Sequence, residues 1–168
     1  APTRMRDPNH NITMVAFDIL GLPVATATLG KVRPGTAGAP ETTESGNRLD
    51  EFSFDLLNPS PGQVAGFFGE ANNPTPFDHV QARRWLGKAS GRFVYHFGER
   101  RDAHGQLLGW AATPPGACGI TREQHEGDQP NANPDLGAGG IAIQVAFEYT
   151  DGAGQVFVRN VQAEPETE

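Results

Sequence analysis

The sequence lacks the residues from which several kinds of site are built. Its 168 residues include a single cysteine, Cys118. One cysteine excludes an intramolecular disulfide and a thiolate metal cluster. No apolar run is long enough to cross a bilayer, and the first residues carry no signal-peptide core. We therefore expect a soluble chain without a membrane span, found in a virion or the cytoplasm rather than in a membrane.

Positive charge is also scarce. The chain has 13 lysines and arginines against 20 aspartates and glutamates, for a formal net charge of −7. A surface of that sign repels phosphate backbones and anionic lipid headgroups. We therefore expect no direct binding of nucleic acid and no docking on anionic membranes.

Motifs for catalysis and for cofactor binding are missing as well. No serine stands in a G-x-S-x-G elbow. The glycine-rich run 136–140 precedes a strand pattern, whereas phosphate-binding loops follow a strand and open a helix. No two of the five histidines have the spacing of a metal-ligand pair. We expect no cofactor, and the balance favours a chain that is not an enzyme.

The sequence does contain many turn residues and alternating apolar runs. Gly (21 residues) and Pro (14 residues) separate short segments in which every second side chain is apolar. The clearest run is 141–150, and after a glycine-rich turn at 151–154 it is followed by a returning run at 155–161. Alternation also predicts strands at 12–20, 24–32, 49–57, 92–99 and 106–112.

The remaining segments are predicted to be loops, apart from one helix. Residues 33–48 and 120–140 are long and polar, and 113–119 interrupts the strand pattern. Thr75-Pro76-Phe77-Asp78 resembles a helix start, which favours one short helix near 76–88 over a strand. In the run 92–99, His96 falls on the side opposite three aromatic residues, and we expect it to be exposed.

These patterns predict a mainly β fold. We expect an antiparallel β-sandwich or jelly roll of about seven or eight strands, with long Gly/Pro-rich loops and at most one short helix. The whole chain, 1–168, is interpreted as a single domain. Residues 1–11 are expected to form an extended arm, and 162–168 an acidic tail.

The titratable candidates for a site are few. His125, Glu126 and Asp128 lie together in the second long loop, where they form a weak candidate for binding a divalent cation or for acid–base chemistry. The alternative is a solvated polar loop, which we favour. Cys118 is a candidate nucleophile, although an apolar resting place is commoner for a lone cysteine.

Candidates for partner or ligand contacts are aromatic and basic. Trp85, Trp110 and Tyr95 can stack on sugar rings, unless they fill the core. Arg83 and Arg84 can meet an acidic partner, although surface charge balanced by nearby carboxylates is the simpler interpretation.

Three functions remain open. The first is a non-enzymatic assembly protein, such as a capsid, decoration, tail or surface-layer subunit, whose partners are copies of itself or other subunits. In it the polar arms and long loops reach the neighbours. The second is a carbohydrate- or ligand-binding module. The third is a small metal-dependent or hydrolytic enzyme that uses the loop around His125. We favour the first, and fold alone does not separate them.

Overall fold

The computed structural model describes residues 3–33, 42–43, 46–50, 52–69, 79–102, 104–124, 141–151 and 153–162. Within these ranges lie three short helices: α1 (Phe54–Leu57), α2 (Pro61–Phe67) and α3 (His79–Leu86). The same ranges contain ten strands. They are β1 (Arg4–Arg6), β2 (Asn11–Phe17), β3 (Pro23–Arg33), β4 (Thr42–Thr43), β5 (Gly91–His96), β6 (Glu99–Arg101), β7 (Leu107–Trp110), β8 (Gly116–Arg122), β9 (Ile143–Thr150) and β10 (Val156–Gln162).

Eight of the strands form one sheet. Its order is β1-β2-β3-β5-β8-β9-β10, and β4 pairs with the far end of β3. Every pairing is antiparallel, and β6 and β7 form a separate two-stranded ribbon. The prediction of a mainly β, antiparallel, sandwich-like fold is confirmed.

One five-residue turn recurs at four hairpins. In each case an aspartate N–H donates to the carbonyl four residues later, and its Oδ1 accepts the N–H of that same residue. The fourth residue of the turn has a positive φ, which favours glycine. The four turns begin at Asp7, Asp18, Asp102 and Asp151, and their fourth residues are His10, Gly21, Gly105 and Gly154.

Helices α2 and α3 cover one face of the sheet. Val64 and Phe67 from α2 and Leu86 from α3 pack on the central strands. The sheet side of this core consists of Ala25, Val94, Cys118, Ile120, Ile143, Val145 and Phe147. The alternation predicted for 141–150 is therefore confirmed, because its buried residues are those on the helix-covered face.

Two helical segments contradict the prediction of at most one helix. The run 49–57 was predicted as a strand, but its second half is α1, where Ser53 accepts a hydrogen bond from the Leu56 N–H. Helix α2 starts at a capping box in which Ser60 and Gln63 each bond the other's backbone N–H. The third helix, α3, lies inside the range 76–88 where a helix was predicted.

Strand β8 contradicts the prediction of a break at 113–119 and a loop from 120. It is a central strand, paired with β5 on one side and β9 on the other. Glycine has a low strand propensity, and Gly116 and Gly119 concealed the pattern. Gly116 is required by close packing, since a Cβ there would lie 2.6 Å from the Glu148 carbonyl oxygen.

Strand β5 presents its sides in a way that the sequence pattern did not predict. Arg92, Val94 and His96 are buried beneath the helices, whereas Phe93 and Phe97 point to the uncovered side and are exposed. The prediction of an exposed His96 is wrong. Its ring is buried and stacks on Phe68, with the centroids 5.2 Å apart.

Three buried arginines hydrogen-bond main-chain carbonyl groups and so hold connecting segments against the sheet. Arg122 donates from Nε to the Ala89 carbonyl (3.0 Å) and from Nη2 to the Gly87 carbonyl, just after α3 ends. Arg83 and Arg92 likewise donate to main-chain carbonyl oxygens. Bonds from charged donors to buried carbonyls satisfy loop groups that would otherwise be costly to bury.

The two ends of the chain lie at the two edges of the sheet. Part of the predicted N-terminal arm is not free, because Arg4–Arg6 pairs with β2 as strand β1. Strand β10 is the opposite edge. The acidic tail beyond residue 162 lies outside the described residues. None of the helices in the described ranges has the length and apolar character needed to span a bilayer.

Candidate functional site

The three aromatic candidates occupy different environments. Trp85 is half-buried on α3 and stacks on Phe67, with ring centroids 4.9 Å apart, so it packs against the core. Trp110 on β7 is 67% exposed. Tyr95 is half-buried on β5, and its hydroxyl donates to the Pro23 carbonyl at 2.8 Å. Burial raises the pKa of Tyr95. Only Trp110 therefore presents most of its ring to solvent.

The two basic candidates are separated by the packing of α3. Arg83 is buried, and its Nε donates to the Ile141 carbonyl at 2.8 Å. A side chain held inside the protein is not offered to an acidic partner, so Arg83 is removed from the candidate contacts. Arg84 is exposed on the outer side of the helix.

The titratable candidates provide no assembled site in the described ranges. His125, Glu126 and Asp128 lie outside the described residues. Among the residues that are described, no three His, Cys, Asp or Glu side chains are grouped so that they could hold a metal ion. Cys118 is fully buried in the core, and burial raises the pKa of its thiol, which disfavours the thiolate nucleophile.

A cleft of about 340 Å³ opens where strands β3 and β5 part. The two strands pair only at Ala25–Arg92 and Thr26–Gly91. Beyond that point β5 continues toward His96 without β3, and the gap is bordered by the β2–β3 turn, the α1–α2 connection and the start of β6. A volume of this size matches the smaller ligand pockets of proteins.

Arg92 lines this cleft and is the largest fully buried side chain of the described residues. Its Nη1 donates to the Val24 carbonyl at 2.7 Å, and its Nη2 donates to the Leu56 carbonyl. Its Nε is buried without a hydrogen-bond partner. Burial lowers the pKa of Arg92 to about 10, although the charge of Asp18 acts in the opposite direction. The Nε–H group of the guanidinium therefore has no acceptor.

The carboxylates that line the cleft already have partners. Asp18 Oδ1 accepts the backbone N–H groups of Leu20 and Leu22 at 2.9 and 2.8 Å. Glu99 Oε2 accepts from Arg101 Nε at 2.7 Å, so these two side chains neutralise each other. Within the described residues, Arg92 forms no ion pair with a carboxylate. Of the buried side-chain nitrogen and oxygen atoms in the described residues that line the cleft, only Arg92 Nε lacks a hydrogen-bond partner.

The β2–β3 turn places two aliphatic side chains at the cleft mouth. Ile19 and Leu20 line the cleft and are 76% and 68% exposed. The Ile19 N–H donates to Asn58 Oδ1 at 2.7 Å, which fixes the turn to the connection between α1 and α2. The corresponding tips of the other three turns are polar or small. The turn geometry itself does not require an exposed isoleucine and leucine at this point.

The β6–β7 ribbon extends the wall of the cleft. Trp110 stands directly opposite Glu99, and Leu107 stands opposite Arg101. Directly opposed residues of an antiparallel pair project from the same face. Since Glu99 and Arg101 line the cleft, Trp110 and Leu107 are on the ribbon face that carries cleft-lining residues.

A second candidate surface is the edge strand β10. One side of this strand pairs with β9, and no described strand pairs with the other. Phe157 is 56% exposed and Val161 62% exposed, and Val156 and Val158 are exposed as well. Arg159 is the only charged residue of the strand, and it lies 3.4 Å from Glu148 of β9. The strand presents free backbone groups together with apolar side chains.

The opposite edge has a different composition. Strand β1 has only three residues, and two of them, Arg4 and Arg6, are charged. Short length and charge are the features by which sheet edges avoid pairing with other chains. The sequence did not reveal this contrast between the two edge strands, because the alternation of side chains in a strand does not indicate whether the strand lies at the edge of the sheet. It also placed Ile19 within a strand, although the repeated D-x-x-G spacing indicated a turn there.

Searches against protein-family models, curated proteins and solved structures found no match for this chain. The roles of the cleft and of strand β10 are therefore inferred from the residues that form them. In the described residues neither brings a nucleophile beside a base. The cleft can hold a small molecule, and the edge can accept another strand.

Proposed function

We propose that this chain is a non-enzymatic assembly subunit that associates with further copies of itself through strand β10. The observation that carries the proposal is the long, apolar and unpaired edge of this strand. The strand has seven residues with a β-bulge at Phe157, and its outer edge leaves N–H and C=O groups open to a second strand.

Pairing at this edge has two sources of free energy. Backbone hydrogen bonds extend the sheet, as in other cases of strand addition. Side chains on both sides of the strand become covered at the same time, since Val158 lies opposite Tyr149 on the helix-covered side and Val161 lies opposite Ala146 on the other. Burying one such side chain contributes roughly 1.5–3 kcal/mol.

A second copy is the occupant that fits best. A strand can pair with its own copy in antiparallel orientation about a two-fold axis, so that each residue meets a counterpart of the same surface. The net charge of −7 makes copies repel one another at long range. Strand β10, however, contains no carboxylate, and Arg159 has Glu148 beside it. The contact strand itself thus adds no negative charge to the interface.

The finer assignment, a virion or surface-assembly subunit, is part of the same proposal and rests on the arms and long loops of the sequence. It needs one modification. Arg4–Arg6 of the arm is paired within its own sheet, and Asn47 of the first long loop is buried with its N–H bonded to Thr28. Those residues do not reach neighbours, which moves the expected contact to β10.

The carbohydrate-binding alternative loses one of the three aromatic rings proposed to stack on a sugar. Trp85 uses a ring face on Phe67, so that face is not offered to a sugar. The enzyme alternative rests on His125, Glu126 and Asp128, which lie outside the described residues. Self-association is therefore the function that the described geometry supports best.

Sedimentation velocity over a wide range of protein concentration tests the proposal. We expect the weight-average sedimentation coefficient to rise with concentration from the value of a monomer to that of a dimer or larger species. The rise is expected to persist in high salt, because apolar burial and backbone pairing are less screened than ion pairs. A coefficient that stays monomeric up to millimolar concentration would contradict it.

A further inference from the structure

We propose that the cleft between β3 and β5 is a binding site for a small amphipathic anion, with an acidic head group directed to Arg92 and an apolar body against Ile19, Leu20 and the ring of Tyr95. This inference does not depend on self-association, because the cleft and strand β10 share no residue.

The anionic part of the proposal follows from the hydrogen-bonding balance of the cleft. One oxygen of each lining carboxylate is engaged, Asp18 Oδ1 by two backbone N–H groups and Glu99 Oε2 by Arg101. Arg92 keeps an unused Nε donor in a buried position. A buried donor without an acceptor is costly, and a ligand oxygen that accepts from it removes the cost. A carboxylate or sulfonate oxygen is the strongest such acceptor.

The apolar part follows from the cleft mouth. The turn that carries Ile19 and Leu20 is the same turn that elsewhere carries polar or small residues at its tip. Asn58 holds it in place over the gap through the Ile19 N–H. Leaving two large aliphatic side chains in water has no benefit for the turn itself. An apolar ligand body that covers the two side chains removes their surface from water, which favours binding.

The size of the cleft limits the ligand. About 340 Å³ accommodates a molecule of up to three fused or linked rings, or a short alkyl chain. It does not accommodate a folded protein domain. The proposed class is therefore a small aromatic or aliphatic acid, and the half-buried ring of Tyr95 provides a further apolar wall.

Two dyes that share one apolar body separate these contributions. 8-Anilinonaphthalene-1-sulfonate carries the acidic group, and N-phenyl-1-naphthylamine is the same body without it. We expect the sulfonate to bind the unmodified protein about tenfold or more tightly than the neutral dye, as measured by fluorescence titration. Amide chemical-shift changes on adding the sulfonate should centre on residues 18–22 and 92–97.

Variants then assign the contributions to residues. Ile19→Ser with Leu20→Ser changes only exposed side chains and should weaken both dyes by about fivefold or more. Met5→Ser, an exposed apolar residue on β1, is the matched control and should leave both affinities unchanged. Arg92→Met should bring the preference for the sulfonate close to one.

The dye comparison and the shift map keep the proposal falsifiable if Arg92→Met does not fold. Equal affinity of the two dyes for the unmodified protein would overturn the anionic part. Shift changes that centre on 156–161 instead of the cleft would overturn the site. An unchanged affinity after Ile19→Ser with Leu20→Ser would overturn the role given to the turn.

Discussion

The two edges of the sheet are built in opposite ways. Strand β1 has three residues with an arginine at each end, whereas β10 has seven residues with four exposed apolar side chains. Both strands are paired on one side only, within the described part of the chain. A protein under pressure to stay monomeric protects both edges. Our proposal assigns self-association to the edge that has the longer strand and the exposed apolar side chains.

Charging the open edge should have the largest effect. In Phe157→Lys with Val161→Lys, two exposed apolar residues of β10 become cations that repel their counterparts in the second copy. Losing the burial of two such side chains should weaken self-association by about 100-fold or more. Sedimentation velocity gives the dissociation constant.

The control for that variant carries the same charge at other exposed apolar positions. Met5→Lys with Leu108→Lys changes residues that are 52% and 65% exposed, which matches the exposure of the β10 pair. We expect this control to associate as the unmodified chain does. Equal weakening in both variants would mean that net charge, rather than strand β10, governs association.

Removing the protection of β1 should give the second-largest effect. Arg4→Val with Arg6→Val turns the short edge into an apolar one. A subunit that can pair through both edge strands can add a further copy at each edge. Light scattering should therefore find species larger than those of the unmodified chain. The gain should be smaller than the loss in the β10 variant, because only three residues pair. An unchanged mass would indicate that the two arginines are not what prevents strand β1 from pairing with a second copy.

The turns next to the two edge strands allow a comparison of backbone strain, which changes the free energy of unfolding by about 1 kcal/mol. Gly154 before β10 has a φ of 81°, and His10 before β2 has a φ of 66° in the equivalent position. A side chain in this region is strained by roughly 1 kcal/mol. We expect Gly154→Ala to lower the free energy of unfolding by about that amount, and His10→Gly to raise it by a few tenths of 1 kcal/mol at most.

Urea denaturation measures both changes. The gain from His10→Gly is limited, since glycine increases the entropy of the unfolded chain and the His10 Nδ1 contact with Arg6 Nη2 is lost. A stabilisation by Gly154→Ala would show that φ is not what selects glycine in these turns.

Acid should loosen the β1 edge in a way that the Asp7 carboxylate controls. Hydrogen bonds from the Asn11 side chain and backbone lower the pKa of Asp7 in the folded protein. A carboxyl with a lowered pKa stabilises the fold at pH values above its unfolded pKa of about 3.9, and that contribution is lost as the pH falls through the lower, folded value. Below about pH 4, amide protection factors for β1 and the start of β2 should therefore fall.

The matched variant is Asp7→Asn, which cannot titrate. It should remove the additional loss of β1 protection on acidification, as measured by hydrogen exchange and NMR. Because Asp7 is fully exposed, this is the smallest of the expected effects. The same pH dependence in Asp7→Asn would show that another group controls the edge.

The sequence was sufficient for the elements whose pattern is local. The strand at Ile143–Thr150 alternates without a fault, and the turn at Asp151 has its glycine where a positive φ is needed. Both were predicted. The capping box at Ser60 was also present as a local signal, but the sequence analysis ended a strand at residue 57 and predicted no helix at this point.

The rest depends on contacts between distant residues. Gly116 fits β8 because the neighbouring strand β9 comes close, which no window of sequence indicates. Strand β5 has apolar side chains on both sides, so its alternation does not tell which side the helices cover. The cleft exists because β3 and β5 part after two residue pairs. An arginine such as Arg92 looks like surface charge until the carbonyl groups that hold it are known.

Hydrogen exchange of the β10 amides at two protein concentrations tests the central claim most directly. Pairing with a second copy protects N–H groups on the outer side of β10, and no change is expected in β1. Protection of residues 156–161 should therefore rise with concentration, while that of residues 4–6 should stay constant. Protection of β10 that is independent of concentration, in samples whose mass is shown to increase, would contradict it.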